Sequence, residues 1–457
     1  MRQVSKIVFG VAAGLLLSAG TVNAQLTIDG QVISRGEYRH GFKSLVTSPT
    51  QPAAFFVEQR SRIKMGYNSE KIKTNFSIQD VRVWGDTAQL TRTDGKTMFH
   101  EAWGEYAFSN KFSARFGRQE LDYDDARILG NVDWGMQARS HDAMLLMFKD
   151  SLNTFHAGFA YNQMKEQMNT TFYGSPNNYK TLTYFWYNRT LSKSTGLSVL
   201  FLNNGKQFSS IGYNGVVNSH TEFSQTAGFR FSWKSVTGEG KDAYDKMKLN
   251  VAAYGQFGHD NTIISAAADT LSKKISAMYG SFDFTFQPSK KYGFTLGAEY
   301  MSGNSQTDTT KAYNEVNHAF NPFYGTNHKF NGYMDYFYVG NHIGSVGLIN
   351  PYVKVKYATE NYWVSVDAHY FMAAADIMDD SVMANTGKFE AASAGMGTEI
   401  DLTFNYKLTK GFNIQFGYSH MLATESMEML RGTGKADELN HWAYLMVIFK
   451  PTLFKSN

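Results

Sequence analysis

Residues 222–234 read EFSQTAGFRFSWK, and apolar and polar side chains alternate along most of this stretch. In a β-strand successive side chains point to opposite faces, so Phe229 and Arg230 belong to different environments. The same alternation recurs at 246–257 and 399–407. The sequence therefore predicts an all-β protein whose strands each have one apolar and one polar face.

Eighteen segments of this kind run through the chain, each about 9 to 16 residues long. Globular strands usually have about five or six residues, whereas a tilted strand needs roughly 9–11 to cross a membrane. The length therefore favours membrane-crossing strands. The predicted strands are 26–39, 55–67, 71–84, 97–108, 111–121, 141–149, 153–163, 180–189, 195–204, 220–235, 245–258, 274–287, 292–303, 345–358, 361–374, 395–408, 411–422 and 438–449.

The connections between these strands alternate between long and short. Residues 40–54 and 122–140 are long, 68–70 and 150–152 are short, and 236–244 fits the rhythm least well. Short periplasmic turns and long outer loops are typical of outer-membrane barrels, and a soluble sandwich has no reason to sort its loops in this way. We therefore predict a transmembrane antiparallel up-and-down β-barrel with an even number of strands.

The composition supports a wide barrel and excludes several other classes. The 457 residues include no cysteine, which removes disulfide scaffolds and thiolate zinc sites, and the mean hydropathy of −0.36 argues against a helical membrane bundle. The net charge of +4 is too small to indicate nucleic-acid binding. A barrel of about eighteen strands encloses an aqueous channel, so aromatic residues face lipid and polar residues face water.

The first residues read as an export signal. Arg2 and Lys6 precede the apolar stretch 7–19, and the small residues at 22–24 form a cleavage site after Ala24. We predict a signal peptide at 1–24 and a barrel domain at 25–457, placed in the outer membrane of a Gram-negative cell. The expected partners are outer-membrane lipid, lipopolysaccharide and the barrel-assembly machinery.

Two segments resemble a known family. Residues 117–128 read GRQELDYDDARI and are followed by Trp134, and residues 320–330 read FNPFYGTNHKF and continue to Tyr336. Both are similar to the alginate-export porin family. The resemblance implies an eighteen-stranded outer-membrane channel, a monomer, and in the best-known members the secretion of an anionic polysaccharide. The family pattern departs at the C-terminus, where either Phe449 or Phe454 has to serve as the terminal aromatic.

Charged residues on the strands are assigned to the inner face, because a lipid-facing Arg or Lys costs about 2–4 kcal/mol at the membrane midplane. Basic positions cluster on the first three strands and on the tenth and eleventh, whereas acidic positions cluster on the twelfth, thirteenth, fifteenth and sixteenth. A ladder of cations would guide carboxylates, and ion pairs that stiffen the wall are an equal alternative. The predicted pore-lining strand residues are Arg35, Arg39, Glu58, Arg60, Arg62, Lys64, Glu101, Glu105, Arg115, Arg230, Lys246, Lys248, Lys354, Lys356, Glu399 and Asp401.

Two long loops are candidates for narrowing the pore. We hypothesise that 122–140 folds inward and places Arg118, Arg127 and Arg139 near a constriction; an external loop held by its own packing is the alternative. The loop at 304–344 is rich in aromatic residues. A lid or a sugar-stacking surface is possible there, and a packed surface loop is the favoured interpretation.

No catalytic or cofactor motif occurs in the sequence, and no cofactor is expected. Acidic groups at 122–125 and 376–380 lack the EF-hand pattern and are interpreted as solvated loops rather than metal sites. The predicted function is a passive channel for small polar or anionic sugar solutes, for export or for uptake. The alternatives are a general or oligosaccharide-uptake porin and, less favoured, an outer-membrane hydrolase with an active site at the pore mouth.

Overall fold

The computed structural model describes residues 24–91, 94–174, 178–211, 217–263, 272–337, 342 and 344–456, and the predicted signal peptide therefore lies almost wholly outside the described residues. Nearly all of the regular structure is β. The strands are β1 (Gln25–His40), β2 (Ala54–Asn68), β3 (Ile72–Val83), β4 (Thr97–Ala107), β5 (Phe112–Gln119), β6 (His141–Lys149), β7 (Asn153–Tyr161), β8 (Thr181–Ser192), β9 (Thr195–Ile211), β10 (Val217–Thr237), β11 (Tyr244–Ile263), β12 (Ser272–Phe286), β13 (Tyr292–Met301), β14 (Val316–Asn317), β15 (Leu348–Ala358), β16 (Tyr362–Met372), β17 (Gly395–Thr409), β18 (Phe412–Ala423), β19 (Asn440–Phe449) and β20 (Thr452–Lys455).

Eighteen of these strands form one closed antiparallel barrel, which confirms the predicted fold class. Each long strand pairs with its neighbours in sequence, and β13 pairs with β15 because the two-residue β14 lies within a loop. The ring closes where β1 pairs with β19, with Val32 opposite Phe449. Because the ring is closed, its described strands pair on both sides, and this satisfies their backbone polar groups within the hydrocarbon layer.

The two faces of the wall differ as the alternation predicted. Phe223 and Phe229 on β10 are each 41% exposed on the outer face, and Phe257 on β11 is 48% exposed. Between them Ser224 and Thr226 are buried on the inner side. Large apolar side chains on the outside of a closed barrel are stable only against lipid, so this face marks the membrane contact.

The chain continues beyond the last predicted strand. Prediction ended that strand at 449, whereas β20 follows Pro451 and pairs with β1 through Ile28 and Phe454. Proline has no N–H for a sheet hydrogen bond, which accounts for the break between β19 and β20. Both Phe449 and Phe454 lie at this seam, and which of them acts as the insertion signal stays a prediction.

The helices of the described chain are short and lie in the long loops. They are the 3₁₀ turns Gly240–Asp242 and Asn327–Lys329 and the α-helices α1 (Lys311–Asn314), α2 (Asp380–Thr386) and α3 (Glu425–Arg431). None of the described helices combines the length and apolar character needed to cross a membrane.

Candidate functional site: the lumen constriction

Two loops enter the barrel and pack against its inner wall. The first lumen loop comprises 120–140, between β5 and β6, and the second lumen loop comprises the described residues 302–337, 342 and 344–347, between β13 and β15. Leu129 and Phe320 are 1% and 5% exposed, and both belong to the apolar cluster that fills part of the lumen. The favoured interpretation of 304–344 as a surface loop is therefore wrong. Its aromatic residues bury themselves against the barrel wall rather than against each other at the rim.

The two lumen loops are joined by backbone hydrogen bonds. The Gly130 N–H donates to the Tyr324 carbonyl at 2.9 Å, the Tyr324 N–H donates to Ile128 at 3.1 Å, and the Thr326 N–H donates to Ala126 at 2.8 Å. Gly130 has no room for a side chain, since a Cβ there would collide with Thr326. The pairing satisfies backbone groups that neither loop satisfies alone, so the loops occupy the lumen as one unit.

Arg127 connects this unit to the acidic side of the wall. Its side chain is 1% exposed, and its Nη2 lies 2.9 Å from Glu299 Oε2 on β13. Nη1 donates to Asn327 at 3.2 Å, and Asn331 donates to the same Glu299 oxygen at 2.7 Å. A buried ion pair of this kind is stable only with such additional hydrogen bonds, so Arg127 serves to fix the loop rather than to meet a passing solute.

Arg60 performs the equivalent task on the opposite side of the wall. It is fully buried, its Nη2 lies 2.9 Å from Asp133 Oδ1, and its Nη1 donates to the backbone carbonyl of Met136 at 3.3 Å. Arg62 lies 3.6 Å from the same carboxylate. The predicted ladder of cations on β2 thus faces the lumen, but Arg60 and Arg62 are paired with Asp133 of the first lumen loop.

Arg35 holds the centre of the first lumen loop. Its Nη1 donates to the Trp134 carbonyl at 3.0 Å, and its guanidinium lies 4.1 Å from the centre of the Trp134 ring. It also pairs with Glu37 at 2.9 Å and with Glu58. On its other side Trp134 stacks on His328 of the second lumen loop, with ring centres 4.7 Å apart. One arginine therefore positions an aromatic ring at the junction of both loops.

The acidic wall supports the second lumen loop. The Met334 N–H donates to Glu399 Oε1 at 2.7 Å, and a Cβ at Gly332, whose φ is +74°, would collide with the same carboxylate. Glu399 and Asp401 are 0% and 1% exposed. These two predicted pore-lining acids therefore lie beneath the loop and do not contact open water.

Most of the remaining predicted residues lie along the inner wall, and most of these are paired. Lys64 lies 3.6 Å from Glu101, Arg115 2.8 Å from Glu105, and Lys354 2.9 Å from Asp367. The two interpretations of the wall charges were a ladder of cations and ion pairs that stiffen the wall. Both receive support, because most wall charges are paired but some cations at the periplasmic end have no carboxylate partner among the described residues. The other predicted residues and their surroundings are Arg39 beside Glu37, Arg139 donating to the Gly325 carbonyl, Arg230 donating to Asn250, Lys248 beside Asp245, Lys356 over the Trp363 ring, and Lys246 opposite the Gln287 backbone.

Arg118 does not lie at the constriction, and this prediction is wrong. On β5 it shares the outward side with Phe116, which is 73% exposed, whereas Arg115 and Gln119 point inward. Its guanidinium forms two hydrogen bonds to Asp142, at 2.8 and 2.7 Å, on the same outer face. An outward charge costs only about 0–1 kcal/mol near the interface, and the paired carboxylate reduces that cost further.

A cavity of about 170 Å³ lies on the periplasmic side of the lumen loops. Aromatic rings from both loops and from the wall surround it, together with the exposed Lys329. Lys329 belongs to the motif at 320–330 but is not among the predicted pore-lining residues, because loop residues carry no periodicity that reveals their direction. The lining comprises Trp134, Thr326, His328, Lys329, Tyr333, Trp363, Thr403, Gln415 and Tyr444.

Burial shifts the pKa values of charged groups on the two lumen loops. It raises the pKa of Asp122 and of Asp124, and Glu120 reinforces the effect on Asp122. Enclosure in the lumen also lowers the pKa of Lys329, against the opposing effect of Asp125 and Asp122. In the described ranges, no group of three or more histidine and carboxylate side chains is arranged to hold a metal ion.

A closed barrel with an apolar outer band and a loop-narrowed lumen defines the class of outer-membrane channel proteins. The chain matches the alginate export family over residues 25–434 and belongs to that family. Its place is therefore the outer membrane of a Gram-negative cell, where it forms a porin-type channel. Among curated proteins, none matches the chain significantly.

Solved structures with a similar fold include proteins of two organisms. OccAB1 of Acinetobacter baumannii is 12% identical, with a TM-score of 0.60 over 96% of this chain and 99% of that chain. OccAB4 of the same organism is 12% identical, with a TM-score of 0.58 over 95% and 99%. The outer membrane protein opdK of Pseudomonas aeruginosa is 11% identical, with a TM-score of 0.55 over 93% and 98%. At this identity the likeness shows the fold alone.

Proposed function

We propose that this channel passes carboxylated sugars, and that an anionic polysaccharide such as alginate leaves the cell through it. The aromatic cavity at Lys329 carries the proposal. Sugar rings present apolar faces that stack on aromatic side chains, and an ammonium group pairs with a carboxylate. The cavity lies directly on the periplasmic side of the constriction, where an outgoing chain would have to pass.

The buried arginines contribute to this function indirectly. Arg35, Arg60 and Arg127 hold the loops that form the cavity, so their geometry decides where Trp134 and Lys329 lie. Rigid supports of this kind keep a binding surface in place without requiring the supports to touch the solute. The predicted pore-lining set is thus divided between residues that build the constriction and residues that face the passage.

The surroundings of the protein belong to the same proposal. The aromatic outer band supports a lipid environment for the barrel, and the long loops would face lipopolysaccharide. Cleavage after Ala24 and insertion by the barrel-assembly machinery would precede this state. A single barrel encloses the whole lumen described above, so a monomer is sufficient for transport, and no catalytic step is proposed.

Ion selectivity in a planar bilayer tests the proposal. The wild-type channel should prefer anions, and Lys329→Gln should reduce that preference and weaken current block by hexagalacturonate. Lys388→Gln, an exposed lysine of the external loop 373–394, is the matched control with the same change of charge. Strong cation preference in the wild type would contradict the proposal.

Liposome swelling separates this channel from the hydrolase alternative. Swelling in neutral and acidic oligosaccharides of the same size would show passage, and chromatography of the sugars afterwards would show whether they remain intact. A lumen that passes no sugar, or sugars that emerge cleaved, would contradict a passive channel.

A further inference from the structure

A second cavity, of about 500 Å³, opens at the periplasmic end of the lumen beneath β3 to β7. Wall residues of these strands form its sides, and the short turns at 69–71 and 108–111 form its rim. Cations outnumber carboxylates in its lining. The basic residues of the lining are Lys71, Lys73, Lys111, Arg115 and Lys149, and its acidic residues are Glu70 and Glu105.

Glu105 organises the inner part of this pocket. It is 6% exposed and lies 2.8 Å from Arg115 and 3.3 Å from Lys73. The Arg115 guanidinium is also held 3.9 Å from the centre of the Trp103 ring. These contacts fix the plane of the guanidinium, so the cost of ordering it is met before a solute arrives.

The outer part of the pocket carries three lysines that form no salt bridge within the described chain. Lys71, Lys111 and Lys149 are exposed, and no carboxylate of the described chain lies within 4.0 Å of their ammonium groups. Ser109, Asn110 and Ser113 add hydroxyl and amide groups to the same lining. Lysines without carboxylate partners beside neutral hydrogen-bonding groups are suited to a carboxylated sugar.

The periplasmic connections and two of the external loops carry opposite net charge. The periplasmic connections are rich in lysine, whereas the external loops 373–394 and 424–439 are rich in carboxylates. An anion is therefore attracted to the periplasmic mouth more strongly than to the external one. The periplasmic connections contain Lys71, Lys111, Lys193, Lys241, Lys290, Lys291, Lys410 and Lys450 against Glu70, Asp150, Glu239, Asp242 and Glu360. The two external loops contain Asp376, Asp379, Asp380, Glu390, Glu425, Glu428, Asp437 and Glu438 against Lys388, Arg431 and Lys435.

We propose that the pocket beneath β3 to β7 is a docking site where a carboxylated polysaccharide chain first binds from the periplasm. This inference rests on the proposed function and adds a direction to it. Binding at one mouth does not drive transport, but it raises the local concentration of the anionic chain at the entrance and thereby its rate of entry.

Sided current block in a planar bilayer tests the docking site. Hexagalacturonate is added to one side of oriented wild-type channels and then to the other, with maltohexaose as the neutral sugar of equal length. Because the chain has no cysteine, a Ser194→Cys variant in a periplasmic turn reports the orientation through a membrane-impermeant thiol reagent. Hexagalacturonate should block at a lower concentration from the periplasmic side, and maltohexaose should show no such preference.

The triple variant Lys71→Gln, Lys111→Gln, Lys149→Gln should raise the half-blocking concentration on the periplasmic side by about fivefold to tenfold. This follows if each of the three exposed pairs contributes roughly 0.3–0.5 kcal/mol, which lies within the range found for exposed ion pairs. The triple variant Lys165→Gln, Lys388→Gln, Lys435→Gln removes the same charge from the external loops 162–180, 373–394 and 424–439 and is the matched control. It should leave the periplasmic value unchanged.

Equal block from both sides, or an equal shift in both triple variants, would overturn the docking site. The proposed function fails differently. If the wild-type channel prefers cations or passes no acidic sugar, the channel proposal itself is overturned. If it prefers anions but shows no sided block, only the docking site is overturned.

Discussion

The first lumen loop, 120–140, and the external loop 373–394 are long connections of the same kind, yet one enters the lumen and the other stays at the rim. The outer part of the external loop, 379–390, satisfies its own polar groups, whereas its base bonds to the second lumen loop: the Ala375 N–H donates to the Val346 carbonyl at 2.9 Å, and the Met378 N–H donates to the Gln306 side chain at 3.0 Å. Asp379 caps α2 by accepting from the Ser381 and Val382 amides at 3.0 Å, and its N–H donates to Glu390 at 2.9 Å. In the first lumen loop, by contrast, Asp133 pairs with Arg60 and Glu120 contacts His100, and both partners belong to the barrel wall.

The comparison shows where the stability of each loop resides. The outer part of the external loop pairs with itself, so its position depends on local capping. A loop that depends on buried arginines is fixed only when the complete barrel surrounds it. Removing the first lumen loop, its buried ion pair, its carboxylate charge or the outward ion pair should therefore have effects of decreasing size.

Deletion of 122–138 should raise the single-channel conductance several-fold, because the segment that crosses the lumen is removed. Gln119 and His141 pair directly on β5 and β6, so the strands remain joined at this end. Deletion of 379–390 is the matched control and should change the conductance little, since Met378 and Ala391 pair at the base of that loop. An unchanged conductance after the first deletion would contradict a constriction formed by this loop.

Arg127→Met should destabilise the folded loop by about 3–5 kcal/mol, because Glu299 is then a buried carboxylate without its cation. Frequent fluctuations of the open-channel current and earlier proteolysis of 122–138 would report this loss. The double variant Arg127→Met, Glu299→Met should restore a quiet channel, since neither charge remains. A noisy double variant would show that the ion pair is not what holds the loop.

Acidification should increase the anion preference of the channel. Burial raises the pKa of Asp122 and Asp124, so both carboxyl groups become neutral at a higher pH than ordinary aspartates, which titrate near about 3.9. Because the pKa of both groups is higher in the docked loop than in an unfolded one, protonation stabilises the docked loop at low pH. This stabilisation is lost as the pH rises. Reversal potentials measured from neutral to acidic pH should therefore shift without an increase in conductance. The variant Asp122→Asn, Asp124→Asn should show a smaller shift.

The smallest effect is expected on the outer face. Arg118→Ser with Asp142→Ser removes the outward ion pair and should leave conductance and selectivity unchanged. The comparison with Arg127→Met is informative, because both arginines occur in the same sequence motif. A loss of anion selectivity in the Arg118 variant would contradict its outward placement.

The strands and their faces could be predicted from the sequence because alternation is a local property. Strict alternation also places Arg115 inward and Arg118 outward, and the error arose from assigning Arg118 by its proximity to the loop motif. The interior position of the two loops could not be predicted in the same way. It depends on contacts such as that of Arg127 with Glu299, which are separated by 172 residues in the sequence. Lys329 was missed for this reason, since only the docked loop shows that it borders a cavity.

The seam between β1 and β19 has a consequence for how the protein is made and lost. Val32 and Phe449 pair although almost the entire chain lies between them, so the ring cannot close before synthesis of the last strand is complete. Contacts this distant in sequence make folding slow. Once the ring is closed, however, no end strand remains from which the sheet could peel apart. We therefore expect the barrel to persist because its opening is slow, which suits a protein that stays in the membrane for the lifetime of the cell.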